Sequence, residues 1–257
     1  MPLVDLANPT RFLTLSGRLL PVLWAAAVLV LGGGLYLALF VAPPDYQQGE
    51  TVRIMFIHVP AAWIAMFGYA LMAVSALGTL VWRHPLADVA ARALAPIGAG
   101  FTLIALVTGS LWGKPMWGTW WEWDARLTSV LVLFLMYLGL IALWNAIEDP
   151  NRGGRVAAVL ILVGSVNLPI IKFSVDWWNT LHQGASVLRM GGPSIDASLL
   201  YPLLICALGA SLLFLALVVM AMRNEILRRR LRALRLAAAS RPAERAAGSR
   251  ADGGARA

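Results

Sequence analysis

Charge is scarce in this chain. Asp, Glu, Lys and Arg together make up 13% of the 257 residues, while hydrophobic residues make up 60%. A soluble domain carries about a quarter charged residues, so this composition excludes an ordinary water-exposed globule and points to a membrane protein. Cysteine is nearly absent: Cys206 stands alone inside an apolar run, which excludes an internal disulfide and a C-x-x-C redox pair. No G-x-x-x-x-G-K-[ST] run occurs, so any ATP hydrolysis has to come from a partner. Lys and Arg outnumber Asp and Glu by 21 to 13, yet ten of those cations are arginines after Met222, in a polar tail. A basic tail beside a membrane segment marks a cytoplasmic face and anionic lipid, not nucleic acid.

Long apolar runs are what the chain has instead. Six stretches, at 19–41, 54–82, 93–112, 128–147, 156–173 and 199–222, come close to the ~20 residues that cross a bilayer. They predict an all-α integral membrane protein with six transmembrane helices. Residues 1–225 form the membrane domain, and 226–257 an Arg-rich cytoplasmic tail that is expected to be disordered. The first run is too long for a signal-peptide core and is read as an uncleaved anchor. The triplet Gly32-Gly33-Gly34 suggests a close helix contact. Six spans put both termini on one side. With that side cytoplasmic, 16 basic residues lie inside against 5 outside, a bias carried by the tail. The outer loops are then 42–53, 113–127 and 174–198, and seven of the eleven tryptophans fall at or beyond the outer boundary.

Four of those tryptophans crowd into "WGTWWEWDARLTS", residues 117–129. An aromatic belt explains Trp112, Trp177 and Trp178 but asks for only one or two such residues per helix end. On a helix, Trp117, Trp120, Trp121 and Asp124 would share a face; in extended chain, Trp117, Trp121 and Trp123 would. Either way the run makes a shelf for a flat, apolar ligand.

His58, in "FIHVPAAW", and His182, in "WWNTLHQGASV", reach the same outer face, whereas His84 lies in a cytoplasmic turn and is read as structural. Neutral imidazole ligates iron, so His58 and His182 are candidate metal ligands, with backbone hydrogen bonding as the plainer alternative for each. Arg53 and Arg126 stand where they could pair with carboxylates at a ligand's edge. Lys172 and Arg189 are read as snorkelling charges. Asp124 is expected to cap the helix beginning near Leu127 or to orient Arg126. A planar ring with iron at its centre and carboxylates on its rim is haem. Trp117, Trp120, Trp121, Trp123, Asp124, Arg126 and Arg53 are therefore the candidate contacts around it.

The Trp-rich run, the "HVPAAW" histidine and the "WWNTLHQGAS" histidine together resemble the cytochrome c maturation protein C (CcmC) family of haem-handling proteins, over residues 10 to 225. The resemblance implies a multi-pass protein of the bacterial inner membrane with its WWD loop on the periplasmic face. It implies a transiently bound b-type haem with His58 and His182 as axial ligands, handed on to the haem chaperone CcmE. It also implies partnership with the ABC-type subunits CcmA and CcmB and the small membrane protein CcmD. Two other classes remain: a b-type electron-transfer cytochrome, which would hold its histidines mid-span, and a small-molecule permease with an aromatic outer anchor. No nucleophile–base pair stands out on the outer face, so catalysis is not expected. Because loop ligands move more easily than helix ligands, His182 is expected to be the one that releases.

Overall fold

A computed structural model describes residues 8–184, 186–187 and 189–254, with side chains as far as Ala239. The last three residues of the tail lie outside it. Among the described residues the chain is helical without a strand. α1 (Pro9–Tyr36) ends in a π-helical turn, Leu37–Val41, and a short 3-10 turn, Glu50–Ile54, leads into α2 (Met55–Leu80). α3 (Ala87–Trp117), α4 (Ala125–Ala146), α5 (Pro150–Gly164), α6 (Asn167–Trp177) and α7 (Ala197–Gly254) follow. Six helical stretches are long and apolar enough to span a bilayer, the fifth being α5 and α6 together.

Local chemistry sets the ends. Asn8 accepts from the backbone N–H of Thr10 and Arg11 ahead of Pro9, the usual opening of a helix. The break between α5 and α6 has two causes. The Ser165 hydroxyl donates to the Leu162 carbonyl, and Pro169 has no N–H to give to the carbonyl of Ser165, which accepts from Leu168 instead. His84 accepts from the N–H of Leu86 in the turn after α2, in keeping with a structural role.

α2 packs along α3, and α1 along α7. Two tyrosines fill the middle: Tyr137 donates to the carbonyl of Ala65 at 2.8 Å and meets the Tyr69 ring edge-on. A Cβ at Gly98 would lie 2.3 Å from the Tyr137 ring, so only glycine admits it. Of the glycine triplet, Gly34 alone is a packing point, 2.9 Å (as a notional Cβ) from the Cys206 backbone; Gly32 and Gly33 have nothing within 4 Å. Its counterpart on α7 is Gly209, whose notional Cβ falls 2.5 Å from the backbone of Leu31. Backbone cannot step aside. Gly209→Ala is therefore expected to cost about 1–3 kcal/mol by overpacking, read as a lower unfolding temperature in detergent, while Gly33→Ala leaves it unchanged or slightly raised.

The tail departs from expectation. Instead of becoming disordered at residue 226, α7 continues as helix. Ala, Leu and Arg are strong helix formers, and the first arginines have partners in the protein. Arg229 pairs with Asp88 and with the buried Glu225, Arg230 with Thr10, and Arg232 with the carbonyl of Glu148. Arg223 donates to Ser16 and to the Leu13 carbonyl. These bonds lock α7 to α1, α3 and the α4–α5 turn at one end of the bundle. The connections 42–49, 118–124 and 178–196 gather at the other.

Candidate ligand-binding cleft

A cleft opens at that second end. Its floor is apolar, built from Ala62, Met66, Ala105, Leu133 and Ile171. Its walls carry Trp63, Trp112, Trp117 and Trp121, and both His58 and His182 face it, with Arg126, Lys172 and Asp176. Residues 124 positions apart in sequence are thus brought to one site.

His58 stands in the first turns of α2. Its Nδ1 lies 3.1 Å from the Thr108 hydroxyl, and the Trp112 ring meets it edge-on with centroids 5.7 Å apart. The hydroxyl has one proton, and that proton goes to the carbonyl of Ile104 at 2.6 Å. Thr108 can then only accept from Nδ1–H, which leaves Nε2 as a bare lone pair. Gly109 makes room: a Cβ there would sit 3.0 Å from the imidazole.

Residues 118–124 of the Trp-rich run are neither helix nor strand. Trp117 is the last residue of α3, and Gly118 ends the helix in the left-handed region at φ 77°, where a side chain would be strained. Asp124 then opens α4, its Oδ1 accepting from the N–H of Leu127 at 2.7 Å. Between these caps the chain is pinned by the Thr119 hydroxyl on the Trp121 carbonyl. The four indoles divide as a result. Trp117 and Trp121 line the cleft, while Trp120 and Trp123 do not and are 55% and 73% exposed. Neither shared face drawn from the spacing forms. The indole N–H of Trp121 is buried without a hydrogen-bond partner.

His182 lies in the 178–196 segment, its N–H bonded to the Thr180 hydroxyl and its ring 5.1 Å from that of Trp117. Its pKa is lowered to about 4, first by burial, then by the Arg126 guanidinium and by His58, against the opposing pull of Asp124. The imidazole is therefore neutral at pH 7, the form that binds iron. Since the folded value lies below the unfolded 6.5, stability from this site is intact above pH 6.5 and is lost as pH falls toward 4. Acid titration of the ligand-free protein is expected to alter Trp117 fluorescence with a midpoint nearer 4 than 6.5, and Trp117→Phe to remove that change.

The cations separate. Arg126 reaches the cleft rim, oriented by the Ser174 hydroxyl at 3.0 Å and the Lys172 carbonyl at 3.1 Å rather than by Asp124. Arg53 does not line the cleft. It bonds Glu50 and the carbonyls of Ala38 and Leu39, which the π-helical turn of α1 leaves open. Lys172, expected to snorkel, lines the cleft instead. Thr108, Trp63 and Gln48 were not foreseen at all. Gln48 accepts from the Trp112 indole at 3.0 Å, a contact between segments that no spacing rule reports.

The donor set suits an iron macrocycle. Among the described residues no three His, Cys, Asp or Glu side chains gather as a metal cage. Two imidazoles alone leave a bare ion under-coordinated, whereas imidazole is a usual axial ligand of an iron already held by four ring nitrogens. Indole walls suit the ring and the cationic rim its carboxylates.

The family described as heme exporter protein C (CcmC) matches residues 2–237, past the expected boundary at 225 and through the first arginine turns of α7. The chain is similar to a heme exporter protein C of Bradyrhizobium diazoefficiens, 68% identical over 253 residues, which is 97% of this chain and 96% of the relative. It is also similar to those of Escherichia coli K12, at 53% over 223 residues (87% and 90% covered), and Paracoccus denitrificans, at 49% over 235 (91% and 97% covered).

Proposed function

The chain belongs to the heme exporter protein C family, and from that premise we propose that it is a multi-pass membrane protein that holds haem transiently in this cleft for cytochrome c biogenesis. His58 and His182 are its axial ligands, each through Nε2. Trp117 and Trp121 hold the macrocycle by apolar contact, and Arg126 with Lys172 receives the propionates. The observation that carries this reading is the convergence of two imidazoles on one indole-walled, cation-rimmed cleft. The protein is a carrier, not a catalyst.

Openness is part of the function. A ligand that must be handed on needs one accessible edge, and the cleft opens at the end of the bundle, not in its middle. The arginine bias supports the periplasmic side of the bacterial inner membrane as the location of this end. There the recipient is the chaperone CcmE, with Trp120 and Trp123 turned toward it, while CcmA, CcmB and CcmD complete the export complex. Because one iron ligand is on a helix and the other on a loop, release begins at His182.

The test is an absorption spectrum of the detergent-purified protein from haem-replete cells. A Soret band with low-spin, bis-imidazole features is expected. A colourless protein that takes up no added haem would sink the reading and leave the tryptophan shelf as a docking surface.

A further inference from the structure

Two buried polar atoms face each other in the cleft wall with no other partner. Asp124 has one oxygen, Oδ1, on the N–H of Leu127 at 2.7 Å. Its other oxygen, Oδ2, is buried without a hydrogen bond, and so is Nδ1 of His182. They lie 3.9 Å apart, with the side chains 5% and 22% exposed. A buried polar atom without a partner is costly, by about 1–3 kcal/mol, and each of these is the group the other lacks. A movement of about 1 Å brings them into hydrogen-bond range.

We propose that Asp124 is the positioning residue for His182: its Oδ2 accepts the Nδ1–H of the imidazole and so keeps Nε2 bare and aimed at the ligand. This rests on the reading of His182 as an iron ligand. The arrangement then parallels that of His58, whose Nδ1–H is held by Thr108. Both histidines present the same nitrogen, but one is backed by a neutral hydroxyl and the other by a carboxylate. An anionic partner raises ligand basicity and favours the ferric state. Asp124 thereby joins three tasks in one side chain. It opens α4, sets the tautomer of a loop histidine, and ties the 178–196 segment to the Trp-rich run.

Substitution separates the tasks. Asn and Ser both cap helices well, so neither Asp124→Asn nor Asp124→Ser removes the start of α4. Asn has a single carbonyl oxygen. With that oxygen held by Leu127 N–H, its amide N–H₂ faces His182 and donates into Nδ1, which drives the proton onto Nε2 and blocks ligation. Ser leaves Nδ1 without a partner but does not reverse it.

Three preparations of the full-length protein in detergent (wild type, Asp124→Asn and Asp124→Ser) are compared with His182→Ala. Asp124→Asn is expected to lose the low-spin bis-imidazole spectrum and to resemble His182→Ala. Asp124→Ser is expected to remain low-spin but to bind ferric haem about tenfold more weakly relative to ferrous, in the range found for outer-sphere partners, which raises the midpoint potential by about 59 mV. Thermal unfolding of haem-free Asp124→Asn should match wild type, since its amide caps α4 and still partners Nδ1. In haem-free protein, ¹⁵N NMR of labelled histidine should assign His182 to the Nδ1–H form in wild type and to Nε2–H in Asp124→Asn. If His182→Ala alters the spectrum but Asp124→Asn keeps the wild-type spectrum and potential, this proposal is overturned and the ligand assignment stands. If His182→Ala itself changes nothing, the ligand assignment fails and takes the proposal with it.

Discussion

In a His58→Ala/His182→Ala double variant, the Soret band of the purified protein is expected to vanish, and added haem to bind no better than it does to an aromatic membrane surface. Among the described residues these are the two imidazoles that line the cleft, and no group of three His, Cys, Asp or Glu side chains gathers there. Apolar contact with indoles would still attract the ring, but without geometry or a defined spectrum. Each single variant should behave differently. One remaining histidine leaves a five-coordinate, high-spin haem held at least about 100-fold more weakly, since losing a ligand exceeds the 10–100-fold typical of losing its outer partner. Millimolar imidazole should restore the low-spin spectrum in either single variant. A double variant that keeps a wild-type Soret band would rule out His58 and His182 as the ligands.

The second large effect divides the tryptophans. Trp117→Ala and Trp121→Ala are each expected to weaken haem binding by roughly 10–100-fold, corresponding to about 1.4–2.7 kcal/mol, because each removes a broad apolar face from the cleft wall. Trp120→Ala and Trp123→Ala should change binding by the isolated chain less than about threefold, since neither ring lines the cleft and they are 55% and 73% exposed. Haem titration followed by absorbance distinguishes the pairs. The exposed pair should matter only when a recipient protein is present, where loss of transfer without loss of binding is the expected signature. A larger binding defect in Trp120→Ala or Trp123→Ala than in Trp117→Ala and Trp121→Ala would contradict the division.

Several elements of this design are readable from the chain as a string. Hydrocarbon thickness dictates a run of about twenty apolar residues, so the six spans are legible with no knowledge of their packing. Asp124 three residues before Leu127 is a helix start by local chemistry alone, and it caps α4 as expected. The even number of spans brings His58 and His182 to the same end of the bundle, where both face one cleft.

Other properties depend on which helix lies beside which. By sequence alone Arg53 reads as a carboxylate partner and Lys172 as a snorkelling charge, but the π-helical turn of α1 engages Arg53 while the start of α4 draws the Lys172 segment to the rim. Thr108 is fifty residues from His58, and only the pairing of α2 with α3 makes it that histidine's partner. The tail arginines are polar in composition and helical in fact, because Glu225, Asp88 and the α4–α5 turn meet them across the bundle. Composition and local caps, set by solvent and by the backbone's own hydrogen bonds, were determined by the sequence itself. The division of the tryptophans, the choice of cations and the tautomer partners were decided by tertiary structure, since each depends on a contact between residues that share no segment.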